Sequence, residues 1–242
     1  MNLRIAFAIV TAPLLAMTVP HPALAQEAAA RLAELEPYAR LHAVLTDDRH
    51  GTAARQVARF TTAIIVEGDP TSRDIAKRQP QFGPALEAAL LPIFTDNLAR
   101  LALAYRPRYE ALFRQHMTAS QATALANMFE SPAGQRMLNS ARSNVLGGLT
   151  GQEVTSDGPV TEDMVRRDIA SIRQAVLAET AAEDHAYFAR LAREDPQIFG
   201  ILDAMRESLV QIRIDMENEP TTEVEDAAIE SALVRVYKRF GL

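Results

Sequence analysis

Between residues 86 and 116 the apolar side chains return every three or four positions: Leu86, Leu90, Ile93 with Phe94, Leu98, Leu101, Tyr105, Tyr109, Leu112 with Phe113, then His116. That period belongs to one face of an α-helix and to no strand, whose faces alternate every second residue. A helix with so long a stripe must find other apolar stripes to cover it, and the chain supplies them. They are Val57, Phe60, Ile64 and Ile65; Ala122, Leu125, Met128 and Phe129; Met137, Leu138, Ala141 and Val145. Later come Val165, Ile169, Ile172 and Val176; Phe188 and Leu191; Ile198, Leu202, Met205, Leu209 and Ile212; and Ile229, Leu233, Val236, Tyr237 and Phe240. The expected fold is all-α, a helical bundle of about seven to nine helices built from αα-hairpins. Pro92 and Pro107 are expected to kink or divide the long helix, because each lacks a backbone donor and crowds the preceding turn. Asp96, Arg100, Arg106 and Arg114 exclude that helix as a membrane span.

The N-terminus reads differently. Arg4 precedes an uncharged run from Ile5 to Val19, followed by Pro20, Pro22 and the tripeptide Ala23-Leu24-Ala25 before Gln26. A basic start, an apolar middle and an A-x-A site make a cleavable secretory signal peptide, residues 1–25. The run is interrupted by Pro13 and is shorter than the roughly 20 apolar residues a spanning helix requires. The chain has no cysteine, so no disulfide and no lipid-modified cysteine is available. The expectation is a soluble periplasmic protein with no stable membrane anchor after cleavage. Residues 26–146 read as an N-terminal helical domain. A Gly-rich linker follows at 147–161, with Gly147, Gly148, Gly151 and Gly158, and residues 162–242 form a C-terminal helical region, with the packing of the two left open. Residues 68–84, with Pro70, Pro80 and Pro84, read as a loop with at most a short helical turn.

Local chemistry is densest between residues 118 and 138. Thr118 with Gln121 makes a T-x-x-Q capping box, in which each side chain serves the other's backbone amide. Ser131-Pro132 restarts the chain as a second helix, since serine accepts from the free amides of a first turn and proline has no N–H to waste there. Gly134 leaves space for a second helix to pass close by. Phe129, Ser131, Pro132, Gly134 and Gln135 are thus the candidate structural or interaction motif. In this order, after the T-A-S-Q helix start, they resemble a bacterial exported-protein family of unknown function whose corner reads Phe-Tyr-x-Ser-Pro-x-Gly-Gln. The resemblance spans residues 86–146 and implies an α-helical exported domain. It carries no activity, and Met128-Phe129 stands where the family has Phe-Tyr, so a phenolic hydroxyl is missing. Thr180, Asp195-Pro196 and Gly200 echo the arrangement, and Thr180 with Glu183 and Thr222 with Glu225 read as further capping boxes.

Charge and spacing narrow the function. The net charge is −6, with 25 basic against 31 acidic residues, and loss of Arg4 with the signal makes it −7. Such a chain is a poor partner for nucleic acid, whose binding depends on clustered Lys and Arg. Asp215, Glu217, Glu219, Glu223, Glu225, Asp226 and Glu230 have no basic residue among them and lack the ligand pattern of a calcium loop, so they read as a solvated linker and helix start. His42, His50, His116 and His185 show no metal-ligand spacing, and Glu183-Asp184-His185 reads as a solvated helix start. No nucleophile elbow, phosphate loop or dinucleotide fingerprint occurs. No catalytic residue, metal site or cofactor is therefore assigned. Two readings remain. One is a non-enzymatic module that binds a protein, a peptide or an apolar small molecule in a groove beside the corner, with the methionines beyond Ala104 as adaptable lining. The other is a hydrolase or other enzyme whose residues converge only in three dimensions.

Overall fold

The computed structural model describes residues 35–48, 51–148 and 158–241; residues 1–25, expected to be a signal peptide, lie outside them, as do His50 and Gly151. Among the described residues every regular element is an α-helix, and there are ten. They are α1 (Pro37–Thr46), α2 (Thr52–Gly68), α3 (Pro70–Arg78), α4 (Phe82–His116) and α5 (Ala119–Glu130). After these come α6 (Pro132–Ser143), α7 (Glu162–Glu179), α8 (Ala182–Glu194), α9 (Pro196–Glu217) and α10 (Glu223–Arg239). The number exceeds the expected seven to nine. One reason is that the proline-rich 68–84 stretch folds instead of looping. Asp69 accepts from the amides of Thr71 and Ser72, Pro70 takes the first helical position, and the nine residues of α3 follow.

Helix α4 is the axis of the bundle. Its 35 residues extend about 52 Å at 1.5 Å per residue. Neither Pro92 nor Pro107 divides it. Both prolines, and the residues four positions earlier, Ala88 and Leu103, lie on the exposed side, where carbonyls deprived of a partner face water. The inner face carries Phe82, Leu86, Leu90, Phe94, Leu98, Leu101, Tyr105, Tyr109, Leu112 and Phe113, all buried. Helices α1, α2, α3, α9 and α10 pack around it. Phe82 meets Tyr237 and Phe240 at the far end of α10, while Asn97 and Arg100 meet Glu225 at its start, so α10 runs antiparallel to α4. One continuous apolar core takes residues from both sides of the 147–161 stretch, including Phe94 and Leu125 from one side and Met205, Met216 and Val236 from the other.

The acid-rich stretch is only in part the solvated linker and helix start that its composition suggests: Glu223, Asp226 and Glu230 are exposed, but the other four acids are bonded or buried. Arg108 donates to Asp215 at 2.6 Å, Tyr105 donates to Glu219 at 2.9 Å, and Glu217 is buried. Asn97 donates to Glu225 at 2.8 Å and Arg100 at 2.9 Å. Asp215, Glu219 and Glu225 find their partners on α4, more than one hundred residues earlier, and Glu217 finds Arg213 on its own helix. Burial alone would raise the Glu225 carboxyl. Hydrogen bonds from Arg100, from the Thr222 backbone and from Asn97 outweigh it and hold the group at about 2. A carboxyl depressed in this way contributes stability that is present above its ordinary value of 4.5 and is lost as pH falls towards 2. Glu225→Gln should therefore cost about 1–2 kcal/mol at neutral pH, as a lost charge-assisted cap and cross-helix bond. It should also flatten the acid limb of stability below pH 4.5, both read from urea denaturation across pH.

Candidate functional site

The corner between α5 and α6 is built as its sequence dictates. Gln121 N donates to Thr118 Oγ1 at 3.3 Å and Thr118 N to Gln121 Oε1 at 2.9 Å, closing the capping box that starts α5. Ser131 ends one helix and begins the next. Its hydroxyl donates to the Met128 carbonyl at 2.7 Å and accepts from Gly134 N at 3.0 Å. Gln135 Nε2 donates to the Phe129 carbonyl at 2.8 Å, tying the first turn of α6 back to the last turn of α5. Phe129 and Gly134 are buried, Ser131 and Gln135 half-buried, and Pro132 exposed.

Gly134 does make a close approach, but to the end of the preceding helix and not to a separate one passing by. A Cβ at this position would stand 2.1 Å from the Met128 carbonyl oxygen and 2.7 Å from Phe129 Cα. From α1, Arg40 closes the outside of the corner through Glu130 at 3.1 Å and Asn127 at 2.7 Å. The Ser131 hydroxyl and the Gln135 amide nitrogen are thus spent on the corner's own backbone. The echo at 180–200 is only partial. Asp195 caps α9, but the Thr180 hydroxyl turns back to the Val176 carbonyl, Ala181 starts α8 with no side-chain cap, and Gly200 faces open space. The Thr180–Glu183 capping box does not form, because Thr180 closes α7 instead.

Beside the corner lies a cavity of about 60 Å³ between α6 and the α7–α8 turn, bounded by Ala133, Arg136, Ser140, Glu179 and Asp184. It has room for a few water molecules and not for a peptide. Its polar walls are paired with each other: Arg136 Nε donates to Asp184 at 2.8 Å, and Ser140 and Asn144 both donate to Glu179. Asp184 is therefore no solvated acid at a helix start. It is buried, and the hydrogen bond from Arg136 holds it below the ordinary carboxylate range against its own burial. Of the six methionines beyond Ala104 only Met137 lines this cavity. Met117, Met128, Met164, Met205 and Met216 are buried, and Met137 packs against the core.

Two buried titratable centres lie elsewhere. His42 of α1 packs at a tilt against Tyr109 with ring centroids 5.4 Å apart, and its Nε2 has no hydrogen-bond partner. Burial, then the charge of Arg106, lowers its pKa to about 4 against the pull of Glu110, so it is a neutral core imidazole. His116 is half-buried and His185 exposed. The second centre escaped sequence reasoning: Asp168 of α7 and Arg213 and Glu217 of α9, between 0% and 4% exposed. Arg213 donates to both carboxylates, and Asp168 Oδ1 also accepts from Gly148 N at 3.1 Å. The only signal in the sequence was the four-residue interval between Arg213 and Glu217, which sets both on one helix face. Among the described residues no group of three or more His, Asp or Glu side chains is arranged to hold a metal ion, and no helix is long and apolar enough to cross a membrane.

Compared with protein-family models, with curated proteins and with solved structures, the chain matches none. The corner geometry sets its own test. Ser131→Ala should cost about 1 kcal/mol, the usual worth of an N-cap. Gly134→Ala should cost about 3 kcal/mol, because backbone and not a flexible side chain must move. Equal, small losses in chemical denaturation would contradict the close approach.

Proposed function

We propose that this protein is an exported, periplasmic α-helical module that works by binding a protein, peptide or apolar small molecule and not by catalysis. Its 86–146 segment is read as akin to the exported family whose corner motif it resembles. The observation that carries the non-catalytic part is how the interior charges are used. Asp168, Asp184, Arg213 and Glu217 are buried and each is bonded to another charged side chain of the same chain. A catalyst needs a polar group turned towards a space that admits substrate, whereas these groups hold helices together. Export rests on the leader of residues 1–25 and its Ala23-Leu24-Ala25 site.

The corner serves this reading as scaffold. Its hydrogen bonds fix the angle between α5 and α6, and the cavity beside it is too small to hold a peptide. A binding surface is accordingly to be sought on the outer helix faces.

Expression in a bacterial host with a C-terminal tag, followed by fractionation and N-terminal sequencing, tests the first half. The expected product begins at Gln26 and is released with the periplasmic fraction; a cytoplasmic product retaining residues 1–25 would contradict export. Immobilised mature protein should then retain the same component from repeated periplasmic extracts, over a heat-unfolded control. Turnover of a generic ester or peptide substrate by the purified protein would contradict the non-catalytic half.

A further inference from the structure

Where α7 crosses α9, two carboxylates share one guanidinium in a place that water does not reach. Asp168, Arg213 and Glu217 are 0%, 2% and 4% exposed. A separate apolar cluster of Val160, Met164, Val165 and Val210, with Ile214 against it, packs on these same two helices. Two further pieces of backbone are fastened here. The turn at 146–148 reaches in through Gly148, whose amide donates to Asp168 Oδ1. Only glycine permits this approach, since a Cβ would lie 2.6 Å from Asp168 Cα and 2.7 Å from the Arg167 carbonyl oxygen. One residue beyond Glu217, the Asn218 side chain accepts from Val160 N at 2.8 Å and donates to Val160 O at 3.0 Å.

With all three groups ionised the cluster carries one uncompensated negative charge, and isolated charge in such a medium is costly enough that a group takes up a proton instead. Asp168 accepts on both oxygens, from Arg213 and from Gly148. Glu217 accepts from Arg213 through Oε1, and its burial favours the protonated form. Several charged groups on the helices packed against α9 have partners of their own. On α4, Arg108 pairs with Asp215 and Tyr105 bonds Glu219. On α7, Arg166 pairs with Glu162 and Glu207, and Arg167 donates to the Asp163 carbonyl. On α8, Asp184 pairs with Arg136 and Arg190 with Glu194.

We propose that Asp168, Arg213 and Glu217 form a proton-operated clasp, which fastens α7 and the 146–148 turn onto α9 in mildly acidic surroundings and slackens as they approach neutrality. The sign follows from linkage. Burial pushes the Glu217 carboxyl up from 4.5 to about 7 against the pull of Arg213, with Asp168 adding to the rise. Between those values the closed clasp binds a proton that the open one does not, so closure weakens as pH rises, and it levels off above the upper value.

Amide hydrogen exchange at Gly148 and Val160, corrected for intrinsic rates, tests this on the intact protein. Protection in the wild type should fall by up to about tenfold per pH unit between pH 4.5 and 7 and then level off. In Glu217→Gln, an uncharged isostere of the protonated acid, it should not change with pH. Parallel profiles in the two proteins would overturn the clasp. Direct carbon-13 titration of the Glu217 carboxyl in the wild type keeps the test decisive if the variant does not fold: a midpoint near neutrality is expected, and one near 4.5 would overturn it.

Discussion

Burying one face of α4 is the constraint on which the rest of the structure depends. Ten large side chains along that face are buried, and removing a large aromatic from such a core typically costs about 3–5 kcal/mol. No single neighbour covers a helix of 35 residues. Helices α1, α2 and α3 come from before it in sequence, and α9 and α10 from long after it. The late helices are brought to the right height by charge. Asp215, Glu219 and Glu225 meet Arg108, Tyr105 and Arg100 in descending order along α4, so the end of α9, the connection after it and the start of α10 are set in register against α4.

Protonation works against itself in this interior. His42 is held neutral, its pKa lowered to about 4, so stability is lost as pH falls from 6.5 through that value. Glu217 is pushed up to about 7, so stability is lost as pH rises towards it. The two slopes oppose each other over the same mildly acidic range, and the global stability there is flatter than either centre alone would make it. Because His42 sits on α1 against Tyr109 and Glu217 on α9 beside Asp168, the centres are separable by a local probe even where their sum is level.

Much of this was legible in the chain. Leu86 to Phe113 announced the buried face of α4 by period alone. Thr118, Ser131, Asp195 and Thr222 announced helix starts, because a cap acts within four residues of itself. Features that depend on a distant partner were not legible. Thr180 and Glu183 have the spacing of a capping box, yet the Thr180 hydroxyl closes the previous helix. Asp184 and Glu217 read as solvated acids because Arg136 lies nearly fifty residues from the first, and because the burial that perturbs the second is a property of crossing helices. Gly148 read as part of a linker, and its need for a bare Cα appears only when α7 is laid against it. The corner was legible in its bonds but misread in one respect, since the helix that crowds Gly134 is its own predecessor.

Residues before and after the 147–161 stretch share one core through α4. Native-state hydrogen exchange with increasing denaturant measures this most directly, following amides of Leu90, Phe94 and Leu125 together with those of Met205, Met216 and Val236. Both sets should merge into one global unfolding with the same free energy and the same denaturant dependence. If amides beyond residue 162 instead opened at markedly lower denaturant while those of α4 stayed protected, the two halves would be independent units and the account would be wrong.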